Sequence, residues 1–393
     1  MTMRVRASLM LITAAVIMSL AGCDHYNCAN GPVLGGGCTA TTPGISGSGG
    51  SSGAPAAAFD FFVNGGDLDA ASLDTSGNFN LIPNFVSPQQ ATLNFNGMLI
   101  VQEQWLYEDL ITEIGAYSIN AQTGALTAIT GSPFPSGNTE SSCRISDPAG
   151  KFLFMCGAND NQVTVFAINQ SNGSLTTVGS FSTGFDAVQA TTDGLGRFLY
   201  VTAGNLGGEV AIFSIGATGS LTPVAGSPFS ISIAQLEGEP TGNFLLGVTG
   251  NGANNGFTSD DNIYVFSISQ STGVLTPVAG SPFPTTFTPG SLVVHPSGSF
   301  VYTFNETVLT TSPMEGFQFN TTTGAVTPLA SSPFTALTVT TGMFDQSGAY
   351  LFMHPDTTLT VASVDTTTGA LTSIAAPITN VGLPGAWAVT DPN

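Results

Sequence analysis

The chain has 393 residues, 42% hydrophobic and only 8% charged, with 48 glycines and a formal net charge of −20. Five lysines and arginines against 25 acids exclude nucleic acid binding, which needs clustered cations to meet phosphate. So small a charged fraction also argues against helices with a charged outer face. It suits sheets that stack and bury both faces.

In chain order, Arg4 and Arg6 precede an apolar run from Ala7 to Gly22, the form of a signal peptide over residues 1–22. Leu20-Ala21-Gly22-Cys23 resembles a bacterial lipobox, which implies cleavage before Cys23 and a diacylglycerol on its thiol. The expected location is therefore the bacterial cell envelope, periplasmic or surface-facing, with the membrane reached through the lipid at Cys23. Residues 23–58 shift to Gly, Ser, Thr and Pro, including Gly47-Ser48-Gly49-Gly50-Ser51-Ser52-Gly53. Such a segment buries no core and reads as a tether.

From residue 59 to 393 one phrase recurs seven times: a strand, then Thr-Gly or Ser-Gly, then a short apolar run that usually closes in Gly-Ser-Pro-Phe. Its plainest copies run from Thr218 to Phe229 and from Thr272 to Phe283. The marker glycines Gly77, Gly124, Gly173, Gly219, Gly273, Gly324 and Gly369 are 45 to 54 residues apart, a period that predicts β-propeller blades.

Each repeat predicts four strands, A to D from the axis outward. A ends at a Pro-x-Gly turn, as in Ser291 to Gly298. B is a continuous apolar run, expected of a strand buried between two blades: Met98 to Val101, Phe152 to Met155, Phe198 to Val201, Phe244 to Leu246, Phe300 to Tyr302 and Tyr350 to Met353. C alternates, and D is the Leu-Thr-x-Val segment. The first repeat begins at B (Phe59 to Val63), and the last segment, Gly385 to Pro392, reads as an A without a B. The prediction is an all-β, seven-bladed propeller of four-stranded antiparallel blades, closed by three N-terminal strands plus one C-terminal strand.

These marks, Pro-x-Gly before an aromatic B strand, then Thr-Gly-x-Leu-Thr and Gly-Ser-Pro-Phe, resemble the lactonase-like seven-bladed β-propellers over residues 59–393. That family includes a bacterial 6-phosphogluconolactonase, and the resemblance implies ring-opening hydrolysis of sugar lactones.

Binding residues are expected at the B–C and D–A end, where three insertions fall: Glu103 to Gly115, Gly250 to Asn262 and Glu306 to Met314. In the first, Trp105 and Tyr107 are predicted to be exposed aromatic anchors. In the second, Asn254, Asp260 and Asp261 are oxygen ligands suited to calcium, and equally ordinary residues of a long turn. No zinc spacing exists, and His295 and His354 read as structural. Arg144 is the cation placed to reach the channel. Period-two alternation puts it on one face with Glu140 and Ser142, while Glu237 and Glu239 sit on an inner strand two blades on. Glu140 or Glu237 activating water, with Arg144 at an oxyanion, would suffice for lactone opening. Arg144 neutralising Glu140 in a polar channel lining is the other reading.

Cys143 and Cys156 flank the Asp147-Pro148-Ala149-Gly150 turn and are disulfide candidates, as are Cys28 and Cys38, with buried free thiols the alternative. The leading reading is a monomeric envelope lipoprotein that binds a protein or carbohydrate-like ligand. The alternatives are a lactone hydrolase and a structural surface protein.

Overall fold

The continuous apolar runs form strands with no exposed face. Phe152–Gly157, Phe198–Ala203 and Phe244–Val248 are buried at every position, because each lies inside one sheet and between two others. A computed structural model describes residues 56–390 other than 65–66, 75–76, 87–96, 140, 158, 204–207, 251–259, 306–313, 336–340, 355–357, 375 and 380–386. Cys23, Cys28, Cys38, Glu140 and Asn254 lie outside the described residues.

Seven antiparallel sheets make a seven-bladed propeller. Blade 1 has B, C and D from Ala56–Asn64, Asp67–Asp74 and Phe79–Leu81, and A from Trp387–Val389. The inner strands of blades 2 to 7 are Gly97–Val101, Ser141–Ser146, Ala187–Thr192, Gln235–Gly238, Pro289–Val294 and Gly342–Phe344, and neighbouring inner strands adjoin around the axis. The ring closes where Asp60 pairs with Val389 and Phe62 with Trp387. Thr390 seals the joint, its N–H donating to Phe59 O and its Oγ1 accepting from Phe59 N, both at 2.8 Å.

Blade 2 corrects one assignment. Met98 to Val101 belongs to the inner strand, and the B strand is Trp105–Asp109, within the stretch expected to be an insertion. The turn between them has no Pro-x-Gly; Gln102 and Glu103 make it with φ of 51° and 57°.

The marker glycines explain the repeat. Six of them, from Gly124 to Gly369, have φ between +69° and +85°, a region costly for any residue with a Cβ. Each also lies against the first aromatic ring of the preceding blade's B strand. A Cβ on Gly124, Gly173, Gly219, Gly273, Gly324 or Gly369 would come within 2.3–2.9 Å of Phe59, Trp105, Phe152, Phe198, Phe244 or Phe300 respectively. At three joints a tyrosine hydroxyl adds a bond to the same glycine's carbonyl: Tyr107 to Gly173, Tyr200 to Gly273 and Tyr302 to Gly369, at 2.7–2.9 Å.

Gly273→Ala is therefore expected to cost on the order of 2–4 kcal/mol, from backbone strain and overpacking together. Gly77→Ala, where φ is +84° but nothing lies within 4 Å, should cost only the backbone part, about 1–2 kcal/mol. Urea unfolding of the two variants checks the difference. Removing residues 387–393 takes away the inner strand of blade 1 and should abolish the cooperative thermal transition, which calorimetry would show.

Candidate functional site

Alternation along the inner strands decides which side chains face the axis and which face the preceding blade. Ala190, Leu236 and Leu292 sit at matching positions and pack into the clusters between blades. Arg144 holds that position in blade 3. Its guanidinium crosses to blade 2, where Nε stands 3.3 Å from Asp109 Oδ2. A Cβ on Gly97 would be 1.3 Å from Arg144 Nη1, so the glycine at the start of blade 2 makes the space the arginine fills. Burial pushes the Asp109 carboxyl above its usual range, while Arg144, Ser141 and the Ile111 backbone oppose the rise.

Arg144 is thus directed into a joint between blades and away from blade 5, so the structure does not bring it together with Glu237. The expected Glu-x-Ser-x-Arg row is also broken. A bulge at Ser142 interrupts the pairing with Phe152–Gly157, and its Oγ donates to Ala187 O of blade 4 at 2.5 Å. Ser142 and Arg144 therefore contact opposite neighbours. Within the same strand pair, Cys143 lies opposite Cys156 and is joined to it by a disulfide.

The expected exposed anchors are interior residues. Trp105 is 4% exposed and Tyr107 2%, both in the core between blades 2 and 3. They belong to a B strand, whose faces are covered, and Tyr107 is the tyrosine that holds Gly173. Glu239 is likewise part of the scaffold. Its Oε1 accepts from Asn243 N and Phe244 N at 2.7 and 3.0 Å, as Asp147 Oδ1 does from Lys151 N and Phe152 N. Glu239-Pro240-Thr241-Gly242 is one more copy of the A–B turn. His295 holds that place in blade 6, with Nε2 2.8 Å from Gly348 O of blade 7.

Of the calcium candidates, Asp260 Oδ2 accepts from Tyr264 OH at 2.5 Å and Asp261 Oδ1 from Thr288 Oγ1 at 2.6 Å. Among the described residues no group of three or more His, Cys, Asp or Glu is placed to hold a metal ion.

Glu237 is different. It lies on the inner strand of blade 5, alternating with buried Leu236, and is part-exposed. Among the described residues its carboxylate has no hydrogen-bond partner, and burial raises its pKa to about 7. Glu108, on the B strand of blade 2, is also raised to about 7 by burial, against a 3.0 Å bond from Tyr117 OH, but it is enclosed between strands. The carboxyl that both titrates near neutrality and meets the channel is Glu237.

Beside it the channel is held tight. Gln189 exchanges two bonds with the Leu236 backbone at 2.9 and 3.2 Å, and Gln235 two with Leu292 at 3.1 and 2.9 Å. On the other side, across blades 7, 1, 2 and 3, the A–B mouth opens into a pocket of about 300 Å³. Its walls are mixed, with Met98, Ile100 and Phe344 beside Gln102, Glu103 and Asp147, and among the described residues no cationic side chain lines it.

A polar pair was missed in the sequence: Asp60 and His354, each 1% exposed, stand 2.9 Å apart between blades 1 and 7. The readable signal for both pairs was an aspartate, Asp60 or Asp109, at a B-strand position where most other repeats carry an apolar residue.

The family model described as lactonase, 7-bladed beta-propeller, matches residues 102–230. No curated protein matches the chain. Among solved structures, a putative 6-phosphogluconolactonase from Bacteroides fragilis superposes with a TM-score of 0.67 at 14% identity, covering 86% of this chain and 98% of that one. The periplasmic gluconolactonase of Pseudomonas aeruginosa gives 0.62 at 14% identity, with 84% and 99% covered. A functionally unknown protein from Desulfotomaculum acetoxidans gives 0.58 at 17%, with 85% and 99% covered. The chain resembles the lactonase-type seven-bladed propellers, and at these identities the structural likeness is one of fold.

Since Val248 packs with Leu292 at the joint between blades 5 and 6, Asp109→Val with Arg144→Leu should rebuild an apolar joint. Arg144→Leu alone is expected to cost about 3–5 kcal/mol by leaving a buried carboxylate unpaired, and the double variant to return within about 1 kcal/mol of the parent. Urea unfolding at pH 7 checks this; additive losses would mean the two residues do not act on each other.

Proposed function

We propose that the protein is a lactone hydrolase that opens uncharged sugar lactones in the central channel, carried at the bacterial envelope by its tether. The observation that carries this reading is Glu237, a carboxyl on an inner strand with no hydrogen-bond partner among the described residues and a pKa raised by burial to about 7. The likeness to gluconolactonase and 6-phosphogluconolactonase propellers supports the reaction class.

A base of that pKa is half ionised at neutral pH, suited both to take a proton and to return it. Glu237 as carboxylate accepts a proton from water while the water oxygen attacks the lactone carbonyl. The tetrahedral adduct then collapses, the ring C–O bond breaks, and the proton passes to the departing ring oxygen to give the hydroxy acid.

Electrostatics selects an uncharged substrate. In the propeller Arg144 is spent on Asp109, Arg197 on Asp193 at 2.8 Å, and Lys151 is exposed beside an A–B turn. None of them is offered to a phosphate, and a net charge of −20 repels one.

Purified protein should open glucono-1,5-lactone faster than its 6-phosphate. Glu237→Gln should lower kcat/KM by about 10²-fold or more while the fold persists. In the parent, kcat/KM should rise with pH through about 7 and level above it, because only the ionised carboxyl is the base; this limb should vanish in the variant. The mixed polar and apolar pocket at the A–B mouth favours the second reading, a ligand-binding module. Absence of turnover on either lactone would leave that reading in place.

A further inference from the structure

Six of the seven outer strands are short and carry proline at or just beyond their ends. Leu221–Pro223, Leu275–Pro277 and Val326–Pro328 are three residues each and end in proline, with Pro228, Pro282 and Pro333 following. Leu126–Ala128, Leu371–Ser373 and Phe79–Leu81 are equally short, with Pro133, Pro377 and Pro83 after them. Blade 3 departs from this. Its outer strand, Leu175–Ser182, runs eight residues and contains no proline and no charge.

Among the described residues Leu175–Ser182 is the unpaired edge of its sheet, and it lacks the prolines of the other outer strands. Thr177 pairs with Phe166 in the register where Pro223 pairs with Phe213, Pro277 with Phe266 and Pro328 with Phe317. A proline fits those ladders because the nitrogen at that position points away from the sheet. The register therefore turns the Thr177 N–H outward, where the other three blades have removed a donor. The bulge that skips Val178 twists the strand locally, and no residue from Leu175 to Ser182 is proline, so each keeps its N–H. Unpaired edges of this length are templates for a further strand, and proline and charge are the usual means of blocking them.

We propose that Leu175–Ser182 is a self-association edge, pairing antiparallel with the same strand of a second copy across a twofold axis. The two blades would then form one eight-stranded sheet. Charge points to a second copy as the occupant. The molecule is strongly acidic, and two copies repel wherever carboxylates meet, but neither this strand nor its neighbour Gln162–Ile168 carries a charged residue. Identical strands paired about a twofold also match in length, and every polar side chain they bring together is an uncharged Thr or Ser. The inference departs from the monomer expected from the sequence and does not depend on any catalytic role.

Sedimentation velocity of the full chain should show a concentration-dependent dimer, with an affinity of roughly micromolar or weaker for so small an interface. Thr177→Pro places in blade 3 the residue that three other blades already hold there, so melting should be unchanged while the dimer Kd rises at least ~10-fold. Thr176→Lys, at an exposed position of the same strand, should do the same through like-charge repulsion, and it decides the matter if the proline variant misfolds. Thr222→Lys on the outer strand of blade 4 should leave association unchanged. A full chain that stays monomeric at all concentrations, or a dimer indifferent to both blade 3 variants, overturns the proposal.

Discussion

The ring depends on an aromatic side chain seated on a glycine. In blades 1 to 6 the first aromatic ring of the B strand lies over the marker glycine of the next blade, from Phe59 on Gly124 to Phe300 on Gly369. Two requirements meet there: a positive φ to turn C into D, and space for an aromatic face within van der Waals contact. Only glycine satisfies both. The same contact repeated around the circle sets the angle between sheets. Tyr107, Tyr200 and Tyr302 bond these glycines while filling the cores.

Nearer the axis the joints differ, and those differences shape the channel. Between blades 4, 5 and 6 the Gln189 and Gln235 amides bond to the next inner strand much as a neighbouring backbone would. Between blades 2 and 3 an arginine and an aspartate replace apolar residues, and between blades 7 and 1 a histidine and an aspartate do. Buried pairs of this kind add little net stability over apolar packing but are costly to break, which favours one arrangement of neighbours. Blade 1 is where that matters most, since its inner strand comes from the other end of the chain. The A–B pocket opens on this side, and the amide-linked side carries Glu237 in its wall.

The disagreement between expectation and structure is concentrated in blade 2. Trp105 and Tyr107 read as exposed because the A–B turn there lacks Pro-x-Gly, and that shifted the strand assignment by one place. The apolar run Met98 to Val101 resembles a B strand because its blade lacks a polar inner strand. Glu239 was legible as a turn residue, since Glu239-Pro240-Thr241-Gly242 shares with Asp147-Pro148-Ala149-Gly150 an acid, then Pro-x-Gly. The Arg144 row was drawn by strict alternation, and the bulge at Ser142 is invisible to alternation because it inserts one residue.

What the sequence determined by itself was local and repeated: the number of blades, the turns, the marker glycines, the closing strand and the cross-strand cysteines. Those follow from backbone conformation and short-range periodicity, which every copy of the repeat states again. Only the tertiary structure decided which joint Arg144 enters, that Asp109 meets it, that Asp60 meets His354 across 294 residues, and that Glu237 stands in the channel wall with no hydrogen-bond partner among the described residues. Those pairings are set by the rotation of one blade against the next, a quantity no single repeat contains. They occur at positions where a copy departs from its siblings, and the departures mark a polar joint without naming the residue that answers it.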